Sequence, residues 1–288
     1  MNNGVIYAIL YILLAPLIGG LLEGIDRKIS ARMQRRVGPP LLQPFYDVIK
    51  LFNKETISVD SAQTFLLLTY FVLMVVTGVM FFSGSDILMC FFVLSTAATF
   101  LYFAGVITSS PYSSIGAQRE LIQMMAYEPA VLLTCVGFYL AAGSFNVREI
   151  AGTDISYILF LPGFFIAFVF ILTIKMRKSP FDTSTPHHMH QELVKGITTE
   201  MGSKNLALFQ ITEWYENVFL MGVICLFIVN SSWISLIVSV IVFLIVYFVE
   251  ILIDNTNARM KWADMLTITW IVTFFSAGVN LVVLMVIR

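Results

Sequence analysis

The chain of 288 residues is 58% hydrophobic and only 12% charged, where soluble domains run at about 45–50% and about 25%. An ordinary water-soluble globule is excluded, because so apolar a chain has too little polar surface to cover its core. Lys plus Arg is 17 and Asp plus Glu is 18, a net charge of -1, which offers no bulk attraction to nucleic acid or acidic lipid. What remains is a polytopic membrane protein, whose signature is runs of about 20 apolar residues.

The first such run covers 4–25. Met1-Asn2-Asn3 carries no basic region ahead of it and no small-residue cleavage site follows, so it reads as a retained helix, not a signal peptide. The segment 26–63 opens with "DRKISARMQRR", breaks at "GPP", and then places Leu41, Leu42, Phe45, Val48, Ile49 and Phe52 at helical spacing. That spacing predicts a short amphipathic helix lying in the membrane interface. Apolar runs at 64–83 and 87–108 follow, separated by the turn Ser83-Gly84-Ser85. The fourth run, 124–143, holds Glu128 just ahead of Pro129, where the proline frees a carbonyl one turn earlier and predicts a kink open to water. The fifth, 157–175, leads into "KMRKSPFDTSTPHHMHQELVKGITTEMGSKN". The sixth, 206–230, carries Glu213 and Glu216, three apart and so on one helix face. Asn230-Ser231-Ser232 turns into a seventh run at 233–253, and an eighth occupies 265–287.

Eight spans place both termini on one side. The segments 26–63, 109–123, 175–205 and 254–264 together hold fifteen Lys and Arg, and the alternate segments only Arg148 and Arg288, which by the positive-inside rule sets the orientation. The sequence thus predicts an all-α, single integral membrane domain over 1–288 in the cytoplasmic membrane, with both termini outside the cytoplasm. Segments 26–63 and 175–205 are its cytoplasmic docking face. No internal repeat or pair of interrupted helices points to a secondary transporter.

Carboxylates crowd the same side: Glu23, Asp26, Glu120, Glu128, Asp182, Glu192, Glu200, Glu213, Glu216, Glu250 and Asp254, against Asp86, Glu149 and Asp154 at turns or helix ends of the outer half. Glu23, Asp26, Glu250 and Asp254 sit in last turns and are expected to end in headgroups or pair with Arg27, Lys28 or Arg259. Glu213 and Glu216 have no matching cation in their own run, which makes them candidates for proton movement. For Glu128 a proton role and a purely structural kink both stay open. The map describes half of a proton path, opening inward, whose other half a partner would supply.

His187, His188 and His190 are the chain's three histidines. Adjacent side chains do not easily converge on one metal, even with Glu192, so no metal site is predicted. The histidines either titrate, with an ordinary pKa of about 6.5, or hydrogen-bond a docked partner. Cys90, Cys135 and Cys225 are isolated, without C-x-x-C spacing, so no zinc or iron–sulfur site is expected in this chain.

The stretches "ARMQRRVGPPLLQPFYDVIKLFNKE", "GAQRELIQMMAYEP", "SPFDTSTPHHMHQELVKGITTE" and "GSKNLALFQITEWYENV", in that order, resemble the membrane (heel) subunit of respiratory complex I, its subunit 1, and of the hydrogenase relatives. The resemblance covers essentially the whole chain. Complex I members follow "PFD" with an acid-rich P-E-A-E-x-E and have a longer segment between "GP" and "LLQP". With "TSTPHHMHQE" and a single extra proline, this chain is more similar to energy-converting, Ech-type [NiFe] hydrogenases and their carbon monoxide-linked relatives.

The resemblance implies a membrane-anchoring and energy-coupling subunit of a ferredoxin-linked hydrogenase complex, linking electron transfer and H2 formation or oxidation to H+ or Na+ translocation. It implies no catalytic, cofactor or metal site in this chain. The [NiFe] and iron–sulfur clusters would sit in partners: a [NiFe] large subunit, a small subunit and an iron–sulfur ferredoxin-like protein, beside an antiporter-like membrane subunit. Asp182, Glu192, Glu200 and Glu213 match the family's coupling acids, and Glu128 matches an acid in its fourth helix. Arg32, Arg35 and Arg36 match its basic loop at the redox-arm interface. The missing acidic stretch removes the expectation of a quinone site, so a quinone-reducing complex I subunit 1-like protein is the alternative. The empty outer half argues against an independent ion transporter.

Overall fold

The computed structural model describes residues 2–55, 60–178, 180–185 and 195–287. Its helices are α1 (Asn2–Met33), α2 (Gln43–Phe52), α3 (Ser61–Ser83), α4 (Ile87–Val106), α5 (Pro111–Ala142), α6 (Val147–Ala151), α7 (Pro162–Lys175), α8 (Ser203–Leu226), α9 (Trp233–Thr256), α10 (Trp262–Thr273) and α11 (Val279–Ile287). A single π turn, Phe274–Gly278, joins α10 to α11 as one rod. All eight apolar runs are helical, and so is the amphipathic stretch in the first loop.

Among the described residues, six rods are long and apolar enough to cross a membrane: α1, α3, α4, α5, α9 and α10–α11. The other two apolar runs differ for physical reasons. Helix α7 has 14 residues, a length of about 21 Å against a hydrocarbon core of about 30 Å. Helix α8 has 24 residues but carries Glu213 and Glu216 at its middle. Both are packed inside other helices, through Phe164, Phe168 and Ile171 on α7 and Phe219, Val223 and Ile224 on α8. Protein contacts, not apolar length, keep them in place.

Helix ends follow local chemistry. Asp60 caps α3 by accepting the Ala62 N–H, Asp86 caps α4 by accepting the Leu88 N–H at 2.8 Å, and Asn146 caps α6. Prolines open α2, α5 and α7, where a missing N–H costs nothing. Gly84 ends α3 at φ +86°, a backbone setting that favours glycine. Two boundaries lie beyond the apolar runs. Helix α1 continues to Met33 through the basic stretch, and α5 starts at Pro111, not near 124. Hydropathy stops at the first charges, whereas the helix continues because Arg119 and Glu120 are buried by neighbours. Helix α5 also runs through Pro129 without a break.

At one end of the bundle, Val147 donates to the Ser85 carbonyl, Ser231 to that of Thr153 and Ile158 to that of Phe227. The first turn of α1 reaches this end, with Gly4 against Ser83. So does α11, where Asn280 accepts from Gly163 N–H at 2.8 Å. The opposite end is tied by Met260 N–H to Pro180 O and by Asn255 Nδ2 to Ser30 Oγ. There the described flanks of the second long loop fold into the bundle instead of lying on its surface. Phe181, Ser184 and Ile197 are almost wholly buried, and the Ile197 N–H donates to the Ser184 carbonyl. Gly116 of α5 permits this approach, since a Cβ there would lie 2.3 Å from the Ile197 nitrogen. Phe181 and Ile197 gain more by burial among apolar side chains than they would at the surface.

Candidate functional site

Where α7 ends, the sequence "KMRK" places three cations in four residues. The backbone reverses there, with Arg177 at φ +55°, a region that a bulky side chain enters only when its surroundings hold it. Lys175, the last residue of α7, and Arg177 and Lys178 of the reversal all have buried side chains. Lys175 Nζ lies 2.6 Å from Glu216 Oε1, with 6% and 7% of the side chains exposed. Arg177 lies 3.4 Å from Glu213 and 3.6 Å from Glu120. Lys178 Nζ meets Asp26 of α1 at 2.7 Å. Each cation also faces a ring: Lys175 over Tyr127 at 4.3 Å, Arg177 over Phe209 at 4.9 Å and Lys178 over Tyr247 at 5.3 Å.

The acids have further partners. The Tyr70 hydroxyl donates to Glu216 at 3.4 Å. Glu120 accepts from the Ser184 hydroxyl and from the Gln123 amide at 3.2 Å, while Gln123 accepts the Ser184 N–H at 3.0 Å. Glu23 bridges Arg27 and the Trp214 indole N–H, each at 2.5 Å, and Arg27 continues to Asp47 of α2 at 2.7 Å. Glu23, Asp26, Lys178, Glu213 and Glu216 line a cavity of about 70 Å³, room enough for a few waters. Glu213 is 30% exposed, and it borders this cavity.

Two groups outside the long helices have displaced proton affinities. Burial opposes the charge on Arg177, but the Glu120 and Glu213 carboxylates outweigh it and raise its pKa. Partial burial would raise the Asp47 carboxyl, yet hydrogen bonds from Arg27 and Gln43 outweigh that and hold it below the ordinary carboxylate range.

The fold unites some of the expected residues and separates others. Glu213 and Glu216 share the cluster, each paired with a cation from the turn after α7. Glu128 instead faces a separate small cavity with Phe91, Leu94 and Tyr127. Asp182 is buried in the strap after α7, with one carboxylate oxygen lacking a hydrogen-bond partner among the described residues. Glu200 follows a short helical turn at Gly196–Thr198. His187, His188, His190 and Glu192 lie outside the described residues. Arg32, Arg35 and Arg36 are exposed at the end of α1.

Other functional groups were hidden in the sequence. Asp26 pairs with Lys178 rather than Lys28 or Arg259. Glu250 is 0% exposed, and neither oxygen has a partner among the described residues, whereas a headgroup position was expected for it. Its helix α9 packs against α1 and α8, which covers its last turns. Glu120, Lys175, Arg177 and Lys178 carry the cluster, and for the three cations the available signal is the "KMRK" spacing at the end of an apolar run.

Fold and cluster define a multi-pass helical membrane protein with an ion-paired interior. A family model described as NADH dehydrogenase matches residues 6–285, and the chain belongs to that family. It is 31% identical to NADH-ubiquinone oxidoreductase chain 1 of Triticum aestivum, over 78% of this chain and 75% of that protein. It is 26% identical to hydrogenase-4 component C of Escherichia coli (strain K12), over 93% and 92%. A chain in the structure of the membrane-bound sulfane sulfur reductase, an archaeal respiratory membrane complex, shares the fold with a TM-score of 0.86 at 24% identity, covering 98% of this chain and 99% of that one.

Proposed function

We propose that this chain is the membrane-anchoring and energy-coupling subunit of a ferredoxin-linked, [NiFe] hydrogenase-type complex, moving H+ or Na+ as electrons pass through partner subunits. The observation that carries the reading is Arg177, one buried cation within 3.6 Å of both Glu120 and Glu213. Adding a proton to either carboxylate would leave the cation to the other. In a low-dielectric interior such a change acts over longer distances than in water, which suits a relay from a redox arm to a separate pump. The cavity beside Glu213 supplies the water contact that the relay needs. Glu216 and Lys175 form its second station, and Glu128, Asp182, Glu200, Glu192 and the three histidines are further candidates along the same half.

In this reading all eight apolar rods span the cytoplasmic membrane, α7 and α8 shielded by their neighbours. Helix α2 lies in the interface, with Pro44 and Val48 turned inward and Ile49 and Phe52 exposed to lipid. Both termini are outside the cytoplasm, and Arg32, Arg35 and Arg36 meet the redox arm. The chain carries no catalytic centre, and the [NiFe] and iron–sulfur clusters belong to partners.

The test is Glu213→Gln in the intact complex in vesicles. Hydrogen evolution from an artificial electron donor is expected to persist while ion transport falls, and unaltered transport would remove Glu213 from the mechanism. A second reading, a quinone-reducing complex I subunit 1-like protein, is favoured by the 31% identity to the wheat NADH-ubiquinone oxidoreductase chain. Purification of the native complex in mild detergent separates the two. Nickel in the preparation supports the hydrogenase class, and inhibition by quinone analogues supports the other.

A further inference from the structure

Helices α1 and α9 touch only over part of their length. The Tyr247 hydroxyl donates to the Leu22 carbonyl at 2.8 Å, and Asn255 reaches Ser30 at 2.9 Å. Toward the end that holds Gly4 and Ser83 the two helices diverge. Between them opens a cleft of about 980 Å³, lined by Tyr7 and Ile18 of α1 and by Leu236, Val240 and Phe243 of α9, with α8 and the end of α3 at its floor. Its walls are apolar except at the mouth, where Arg148 and Ser83 stand.

Arg148 is placed there by two glycines. A Cβ on Gly84 would lie 2.9 Å from the Arg148 Cβ, and one on Gly4 would lie 2.7 Å from its Nη2. The side chain thus passes over the end of α3 to the first turn of α1. Every other described Lys and Arg lies toward the opposite end of the chain's topology, and no ion pair forms at Arg148 among the described residues. It is an uncompensated cation at the mouth of an apolar slot.

The depth of the slot selects the occupant. From Tyr7 to Ile18 a helix rises about 16 Å, close to one leaflet, half of a hydrocarbon core of about 30 Å. A helix from another subunit would need a groove running the whole height of the bundle, whereas this one is lined only as far as Ile18 and Phe243, and the Tyr247–Leu22 contact closes it beyond them. We propose that the cleft binds one two-chain phospholipid of the leaflet at this end, its phosphate on the Arg148 guanidinium and its acyl chains between α1 and α9. Guanidinium recognises phosphate through charge-assisted, paired hydrogen bonds, and the Ser83 hydroxyl and Tyr7 ring are placed beside the headgroup and upper chain.

The test uses the whole complex in membranes containing phosphatidylglycerol with a photoreactive group on one acyl chain, and maps labelled peptides by mass spectrometry. Label is expected on Leu236, Val240 and Tyr7. Arg148→Gln should reduce it about tenfold or more, the worth of one charge-assisted hydrogen bond, Arg148→Lys should keep most of it, and Val240→Trp should abolish it by filling the slot. Labelling of exposed Phe275, on the distant α10–α11 rod, should stay constant in all three and so reports a folded chain. Label on the cleft residues that is insensitive to both Arg148→Gln and Val240→Trp would overturn the proposal. So would absence of label together with cross-linking of Val240→Cys to another subunit's helix.

Discussion

Lys175 Nζ and Glu216 Oε1 lie 2.6 Å apart with less than a tenth of either side chain exposed. The pair joins the last residue of α7 to the middle of α8, so two short or polar helices are pinned by charges that neither could bury alone. Tyr127 and Tyr70 complete the enclosure, one by its ring face and the other by its hydroxyl. Desolvation of such a pair is costly, and its net contribution depends on both members being present.

That dependence is measurable. Lys175→Met or Glu216→Leu alone leaves one buried charge unpaired and is expected to cost about 3–5 kcal/mol. The double variant should recover most of that loss. Thermal unfolding of the solubilised complex in a double-mutant cycle checks it, and additive losses would show that the two charges do not depend on one another.

Arg177 holds two carboxylates because its guanidinium is a planar fork. Arg177→Lys keeps the charge but offers a compact head that cannot serve Glu120 and Glu213 together. The expected result is an intact complex with electron transfer retained and ion transport lowered about tenfold, the loss of one hydrogen bond to a charged group. Transport equal to that of the unaltered protein would show that a simple positive charge suffices.

Gly116→Ala tests the seat of the second loop. The added Cβ would meet the Ile197 nitrogen at 2.3 Å and the Gly196 backbone at 2.7 Å, atoms that cannot rotate away. Displacement of residues 195–200 should cost about 2 kcal/mol or more and raise protease cleavage in that segment. An unchanged cleavage pattern would mean the loop has room to shift.

Asp47 gives a pH dependence of known sign. Its carboxyl is held below its ordinary value of 3.8 by Arg27 and Gln43, so it binds fewer protons folded than unfolded. Its stabilising contribution is present above 3.8 and is lost as pH falls through the folded value. The stability difference between the unaltered chain and Asp47→Asn should therefore shrink as unfolding is measured at progressively more acid pH, and a difference that grows would reverse the assignment.

Glu250 offers a contrast to the paired acids. Both its oxygens are buried without a hydrogen-bond partner among the described residues, an arrangement expected to cost stability. Glu250→Met should raise the unfolding temperature by a few degrees, the effect of about 1 kcal/mol in a chain of this size. A lower temperature would reveal a stabilising contact for the carboxylate.

Much of the helical layout was legible in the amino-acid order because lipid and water impose it residue by residue. Each apolar run became a helix, and the spacing of Phe45, Val48 and Phe52 marked α2. Helix ends were less legible. Arg119 and Glu120 look like a loop by hydropathy, yet they lie inside α5, since hydropathy cannot register a charge that a neighbouring element will neutralise. Glu213 and Glu216 were recognisable as acids at membrane depth. In the sequence their cations mark only the inner side, because nothing local to "KMRK" says that the chain reverses there.

The sequence alone determined that this is a polytopic helical membrane protein with its charges gathered at one end, because solvation energies act on each side chain separately. Only the tertiary structure decided which charges meet: Lys175 with Glu216, Arg177 with Glu120 and Glu213, and Lys178 with Asp26, while Glu250 makes no hydrogen bond among the described residues. Pairing is a property of distances, and the distances are set where α1, α5 and α8 pack around one turn of chain whose backbone angles no local rule predicts.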